Sequence, residues 1–201
     1  MPKKKLTTKT KRIKPGLPGG FRDYPPADAM IRQRLLAKIR KTFEDFGFDP
    51  METPVVEKTA LLTGGEATSD KIIFRVAPAV RGEVKDITRD EMSLRFDLTV
   101  PLARFMAANP EIPKPFKRYQ IGNVWRGERQ QAGRYREFLQ ADIDIVGSSS
   151  MEADAEIVAV ISRVFKNLGI NKFLIKINNR KVLNGLPRWA GFLPSSSFAP
   201  Q

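Results

Sequence analysis

Between residues 31 and 46 apolar side chains recur every three or four positions: Ile31, Leu35, Ile39, Phe43 and Phe46. This spacing predicts an amphipathic helix, entered after Pro25-Pro26 and stopped at Gly47. Arg32, Arg34, Lys38, Arg40 and Lys41 fall on its other faces. A second stripe, Ile157, Ile161, Val164, Phe165 and Leu168, ends at Gly169, and Ser149 with Glu152 predicts a capping box at its start. Residues 99–108 read as a third helix, with Thr99 near the N-cap and Pro101 in the first turn. From 116 to 147 the pattern is that of a strand, a loop over 127–133 and a returning strand. On the returning strand Leu139, Ala141, Ile143 and Ile145 take one face, and Arg136, Gln140, Asp142 and Asp144 the other. Shorter strands are expected at 72–76 and 93–96, and one more from the alternation of Phe173, Ile175 and Ile177. Residues 48–56, broken by Pro50 and Pro54, are expected at a sheet edge or interface, because proline offers no ladder donor. Residues 78–90 are polar and read as a loop or hairpin. This order of elements suits an α+β fold: a mainly antiparallel sheet flanked by helices.

Composition narrows the chemistry. The 201 residues are 41% hydrophobic, enough for one ordinary globular domain, and no apolar run reaches the roughly 20 residues of a membrane span. The basic N-terminus has no apolar signal-peptide core, so a cytoplasmic protein with no membrane partner is the expectation. Cysteine and histidine are both absent. That excludes disulfides, thiolate metal sites and the usual general base, and no protein-held metal is expected. Catalysis would have to rest on carboxylates, arginines and amides.

The net charge is +13. Residues 1–14, with Lys3, Lys4, Lys5, Lys9, Lys11, Arg12 and Lys14 and no acid, hold seven of these charges and leave six on the rest. They read as a flexible basic arm. Arm and body together favour a polyanionic partner, with a merely solubilising tail as the alternative.

Two clusters are candidates for chemistry. The loop 126–136 carries Arg126, Arg129, Arg134 and Arg136 with Gly127 and Gly133, the make-up of an anion clamp, since guanidinium forks bind phosphate or carboxylate bidentately. A solvated charged loop is the alternative. Beside it, Gln140 and Asp144 share the polar strand face, suited to an ammonium group and a small polar ligand. The second cluster, Arg95-Phe96-Asp97-Leu98-Thr99, sets a carboxylate and a hydroxyl where a strand meets a helix; simple helix capping is the alternative. There is no phosphate-binding Gly-x-x-x-x-Gly-Lys loop, no Rossmann fingerprint and no Gly-x-Ser-x-Gly elbow.

Taken together, four segments resemble one family. Ile121-Gly122-Asn123-Val124-Trp125-Arg126 and Gly133-Arg134-Tyr135-Arg136-Glu137-Phe138-Leu139-Gln140 resemble motif 2 of class II aminoacyl-tRNA synthetases, in its histidine–tRNA ligase form. The helix 31–46 with the strand to Pro54 resembles motif 1, the dimer-interface element. Arg95-Phe96-Asp97-Leu98-Thr99 resembles the histidine-binding segment, and Gly19-Gly20-Phe21-Arg22-Asp23 the family's entry sequence. The resemblance spans about residues 15–186. It implies a histidine–tRNA ligase acting on histidine, ATP and tRNA, with Mg²⁺ accompanying ATP and a homodimer as the parent assembly. It also implies that Arg126 is the catalytic arginine, gripping the α-phosphate and the amino-acid carboxylate. Asp97, Thr99, Gln140 and Asp144 would line the histidine site, Glu128 would meet the adenine, and Arg134 and Arg136 the phosphates or the tRNA acceptor end.

The family's Arg-Gly-Leu-Asp-Tyr-Tyr segment, motif 3 and anticodon-binding domain have no counterpart here. The expectation is therefore a partial catalytic domain over 15–186, with a fold incomplete at its C-terminal end and inactive alone. Residues 187–201, aperiodic and rich in serine and proline, are expected to be an irregular tail left by truncation or frameshift. Two other readings are a non-catalytic regulatory subunit of ATP phosphoribosyltransferase, which shares the fold, and a tRNA-binding or dimerisation module.

Overall fold

Pro26 opens the first helix with a preset backbone angle and no wasted N–H, and the run of good helix formers behind it carries α1 from Pro26–Asp45. The protein is seen here as a computed structural model that describes residues 14–64, 73–77, 91–129 and 131–190. The basic arm, Lys14 apart, and the polar stretch 78–90 lie outside these residues.

After α1 the chain forms β1 (Asp49–Pro50), β2 (Val56–Lys58), a short α2 (Thr59–Thr63), β3 (Arg75–Val76) and β4 (Met92–Leu94). There follow α3 (Thr99–Ala108), β5 (Phe116–Trp125), β6 (Glu137–Val146), α4 (Met151–Asn167) and α5 (Arg180–Trp189). The strands make two small sheets, ordered β1-β5-β6 and β2-β4-β3. All pairings are antiparallel except β1 with β5, which is parallel. The mainly antiparallel α+β expectation holds, and β1 sits at a sheet edge as its proline requires.

The β5–β6 hairpin is the spine. It folds symmetrically about Gln131, pairing Phe116 with Val146 at one end and Trp125 with Glu137 at the other. One face carries Tyr119, Ile121, Ile143 and Ile145, which pack with Phe43, Phe48, Ile39 and Phe46 from the α1 end and Ile157, Val160 and Val164 from α4. Lys117 fastens the same layers: its Nζ donates 2.6 Å bonds to Phe46 O and to Glu156 Oε1. Asn167 Nδ2 donates to Thr42 Oγ1 across the α4–α1 contact at 2.8 Å.

Several expectations change. Only the second half of the α1 stripe is covered: Phe43 is 4% exposed, whereas Ile31 is 57% and Leu35 43% exposed. The periodicity marks an apolar face, but among the described residues nothing buries Ile31 or Leu35. The α4 cap is Ser150, not Ser149; its Oγ accepts from Glu152 N at 3.2 Å, so Glu152 sits one position too early for a capping box. Residues 173–177 do not form a strand, because alternation gives a face but a strand also needs a partner, and none pairs with them among the described residues. The helix α5 runs through Pro187 to Trp189, beyond the point where periodicity ends.

The second sheet is tied to the hairpin by a buried arginine. Arg95 Nε donates to Asn123 O at 2.9 Å and its Nη1 to Thr53 O at 2.7 Å, joining the β1–β2 connection, β4 and β5. Gly122 makes room for it: a Cβ there would stand 2.5 Å from Arg95 Nη2. A guanidinium held at both ends cannot swing aside, so Gly122→Ala is expected to cost about 1–3 kcal/mol, as overpacking does. Urea unfolding followed by Trp125 fluorescence checks this.

Candidate functional site

The face of the hairpin away from the core is polar, and the register fixes its layout. Arg118 lies opposite Asp144, Gln120 opposite Asp142, and Gly122 opposite Gln140. Gln140 Nε2 donates to Asp142 Oδ2 at 2.9 Å, while Gln140 Oε1 is buried without a partner. This face is the floor of the site.

Its wall is the segment from Arg95 to the start of α3. Leu98 is fully buried. Asp97, half-buried, accepts from Val100 N at 3.1 Å, so the alternative reading of helix capping applies to Asp97 as well. Thr99 is the first residue of α3 and is exposed. Burial pushes the Asp97 carboxyl up from its ordinary value, opposed by the Val100 N–H; Asp142 pushes it further and Arg126 pulls it back. Burial likewise raises Asp144, which Arg118 pulls down and Asp142 pushes up. Asp97, Asp142 and Asp144 are thus coupled anions around one floor, an environment that favours a cationic ligand.

At the far end Arg126 leaves β5. Its Nε donates to Phe96 O at 3.1 Å, and its guanidinium lies 5.1 Å from the centre of the Phe138 ring. These contacts aim the fork, while neither Nη has a hydrogen-bond partner among the described residues. The loop arginines divide. Arg136 is tied to backbone, donating from Nε to Glu128 O at 3.2 Å and from Nη1 to Gly19 O at 3.4 Å. Arg134 is exposed and pairs with Glu128 at 3.0 Å. The site brings together Asp97, Arg126, Gln140 and Asp144; Glu128, Arg134 and Arg136 stand in the loop beyond.

Sequence reasoning missed Arg118 and Gln120 and gave Asp142 no role. Arg118 is 0% exposed, its Nη2 donating to Leu98 O at 3.1 Å and lying 2.7 Å from Asp144 Oδ2. The second approach lacks hydrogen-bond direction, so it is an ion pair only. The signal was available: a hairpin symmetric about Gln131 sets 118 against 144.

The shifts carry a stability prediction. A carboxyl raised in the folded state binds its proton there before it does in the unfolded chain. Its contribution is therefore present at low pH and lost as pH rises through the raised folded value. Asp97→Asn keeps a side chain that caps equally well but removes the buried charge beside Asp142. It is expected to raise Tm at pH 7 by on the order of 2 °C and to leave it unchanged once the carboxyl is protonated, as calorimetry across pH would show.

Comparison with known proteins adds the family. The family model for histidyl-tRNA synthetase matches residues 20–197. A histidine–tRNA ligase of Aeropyrum pernix is 47% identical over 175 residues, covering 86% of this chain and 39% of that protein. One from Helicobacter pylori strain G27 is 47% identical over 181 residues, covering 89% and 39%. Among solved structures, the histidyl-tRNA synthetase from Nostoc sp. PCC 7120 superposes with a TM-score of 0.75 at 36% identity, over 89% of this chain and 40% of that one. The chain thus spans about two-fifths of the length of the curated relatives it matches, and within that span it belongs to the histidyl-tRNA synthetase family.

Proposed function

We propose that this chain forms the amino-acid and α-phosphate half of a histidine–tRNA ligase site. The histidine carboxylate attacks the α-phosphorus of ATP, pyrophosphate leaves, and the histidyl group of the adenylate then passes to the tRNA 3′ end. Arg126 carries the reading: a fork aimed by Phe96 O and the Phe138 ring, with both Nη groups unengaged, at the end of a floor of carboxylates. It would bridge the amino-acid carboxylate and the α-phosphate, stabilising charge as it builds at phosphorus. Asp97, Gln140 and Asp144, with Thr99 at the rim, would hold histidine by its cationic end. Glu128 would face the adenine, and Arg134 and Arg136 the phosphates or the tRNA acceptor end. Mg²⁺ would enter on the nucleotide's phosphates.

The uncovered Met30, Ile31 and Leu35 on α1 support a homodimer through that face. No described helix is long and apolar enough to cross a membrane; cytoplasmic residence is part of the proposal. Residues 15–186 act as the partial catalytic domain, and the basic arm 1–14 offers charge to tRNA phosphates.

Because the chain spans only about two-fifths of its curated relatives' length, the 201-residue chain alone is expected to give no histidine-dependent ATP–pyrophosphate exchange. A chimaera completed with the remaining length of the Aeropyrum pernix relative is expected to regain it. A folded, ATP-binding chimaera with no response to histidine would sink the reading, and exchange by the short chain would sink the half-site claim.

A further inference from the structure

Arg118 is fully buried, yet two of its three guanidinium nitrogens, Nε and Nη1, have no hydrogen-bond partner. A cation taken out of water this completely is tolerated only when the surrounding anions hold it. Burial lowers its proton affinity below the ordinary value, and Asp144, Asp142 and Asp97 offset part of that loss. Its third nitrogen touches both halves of the site: Leu98 O, in the segment that carries Asp97, and Asp144 Oδ2, on the floor. No other described side chain makes both contacts.

We propose that Arg118 is the positioning residue of the amino-acid site: it ties the Asp144 carboxylate to the Asp97–Thr99 segment, so that three carboxylates present a fixed anionic cup to the cationic end of the amino acid. With Arg118 buried among the three carboxylates and Arg126 acting on Asp97, the cup keeps a surplus negative charge when all are ionised. An added ammonium group relieves that surplus, whereas a neutral ligand does not. The ligand in this proposal rests on the function above; the tie between Arg118 and Asp144 does not.

Groups facing Asp144 are Arg118 from β5, Asp142 on β6, and Asp154 from α4, which shares a cavity of about 330 Å³ with it, while Asp97, before α3, acts on Arg118. Only Arg118 among these is cationic.

The test follows the aspartate carboxyl signals of the 201-residue chain by ¹³C NMR against pH, in the wild type, Arg118→Met and Arg118→Lys. Arg118→Met is expected to move the Asp144 midpoint up by about one pH unit or more, since its only facing cation is gone. Arg118→Lys returns the charge and most of the midpoint. A lysine lacks the fork that reaches both contacts, so histidine affinity, read by shift perturbation of the same carboxyls, stays down about tenfold. If Arg118→Met fails to fold, Arg118→Lys decides alone through its affinity. A folded variant with unchanged Asp144 titration and unchanged affinity overturns the proposal. If histidine perturbs none of the three carboxyls in the wild type while the midpoint still moves, the functional reading falls and the Arg118–Asp144 tie stands.

Discussion

Arg126→Ala, placed in the completed chimaera, is expected to reduce histidine-dependent ATP–pyrophosphate exchange about 10²–10³-fold, the loss typical of one preorganised donor at developing charge. The geometry says why so much rests on one side chain. Its fork is oriented before any ligand arrives, by the carbonyl of Phe96 and the ring of Phe138. In the proposed function reorientation would therefore cost little at the moment of reaction, and the Nη groups, without a partner among the described residues, would meet the anion directly. The loop arginines cannot substitute: Arg136 is tied to backbone carbonyls, and Arg134 is exposed and paired with Glu128. A substitution to lysine is expected to recover little, because a point charge does not reproduce a planar fork held at one end. Single-turnover measurement separates the effect on chemistry from that on binding. A fall confined to KM for ATP would assign Arg126 to nucleotide binding alone.

The largest stability effect is expected at Leu98. Its side chain is fully buried, facing Gly122 across the site's inner wall. Arg95, bonded to Asn123 O and Thr53 O close by Gly122, restrains that neighbourhood from collapsing into a gap. Leu98→Ala is expected to cost about 3–5 kcal/mol, the upper part of the range for buried leucine truncations, because the cavity persists. The urea midpoint should fall with the slope unchanged. Leu174, 79% exposed, is the matched control, and its alanine variant should shift stability by less than about 0.5 kcal/mol. Equal losses at the two positions would mean that the wall is not the packed element described.

Much of this was legible in the residues. The hairpin was, because ten-residue strands give period two room to speak and Gly127 and Gly133 mark its turn. So were α1 and α4, through their stripes. β3 and β4 were legible in outline, overlapping the short strands expected at 72–76 and 93–96, whereas β2 is too short for any period to register. Ser150 and Ser149 are chemically identical candidates for one cap, and only backbone geometry chooses between them. Ile31 and Leu35 announce an apolar face without saying what covers it. The site was half visible: Asp97, Gln140 and Asp144 lie on readable faces. Arg95 and Arg118 are not readable as buried, because charge in a sequence signals solvent until a register supplies its partner.

The symmetry of the hairpin also bears on time. Its strands are joined by the loop 126–136, so the floor needs only closure local in sequence, which a chain finds in roughly microseconds. The wall is more distant: Asp97 lies more than forty residues before Asp142 and Asp144 and reaches them only when α3 docks. Contacts of such separation form later, since loop entropy must be overcome first. During folding the carboxylates of β6 and the Arg118 guanidinium are therefore expected to meet each other before Asp97 joins them. The pair can serve as a seed on which the rest of the pocket assembles.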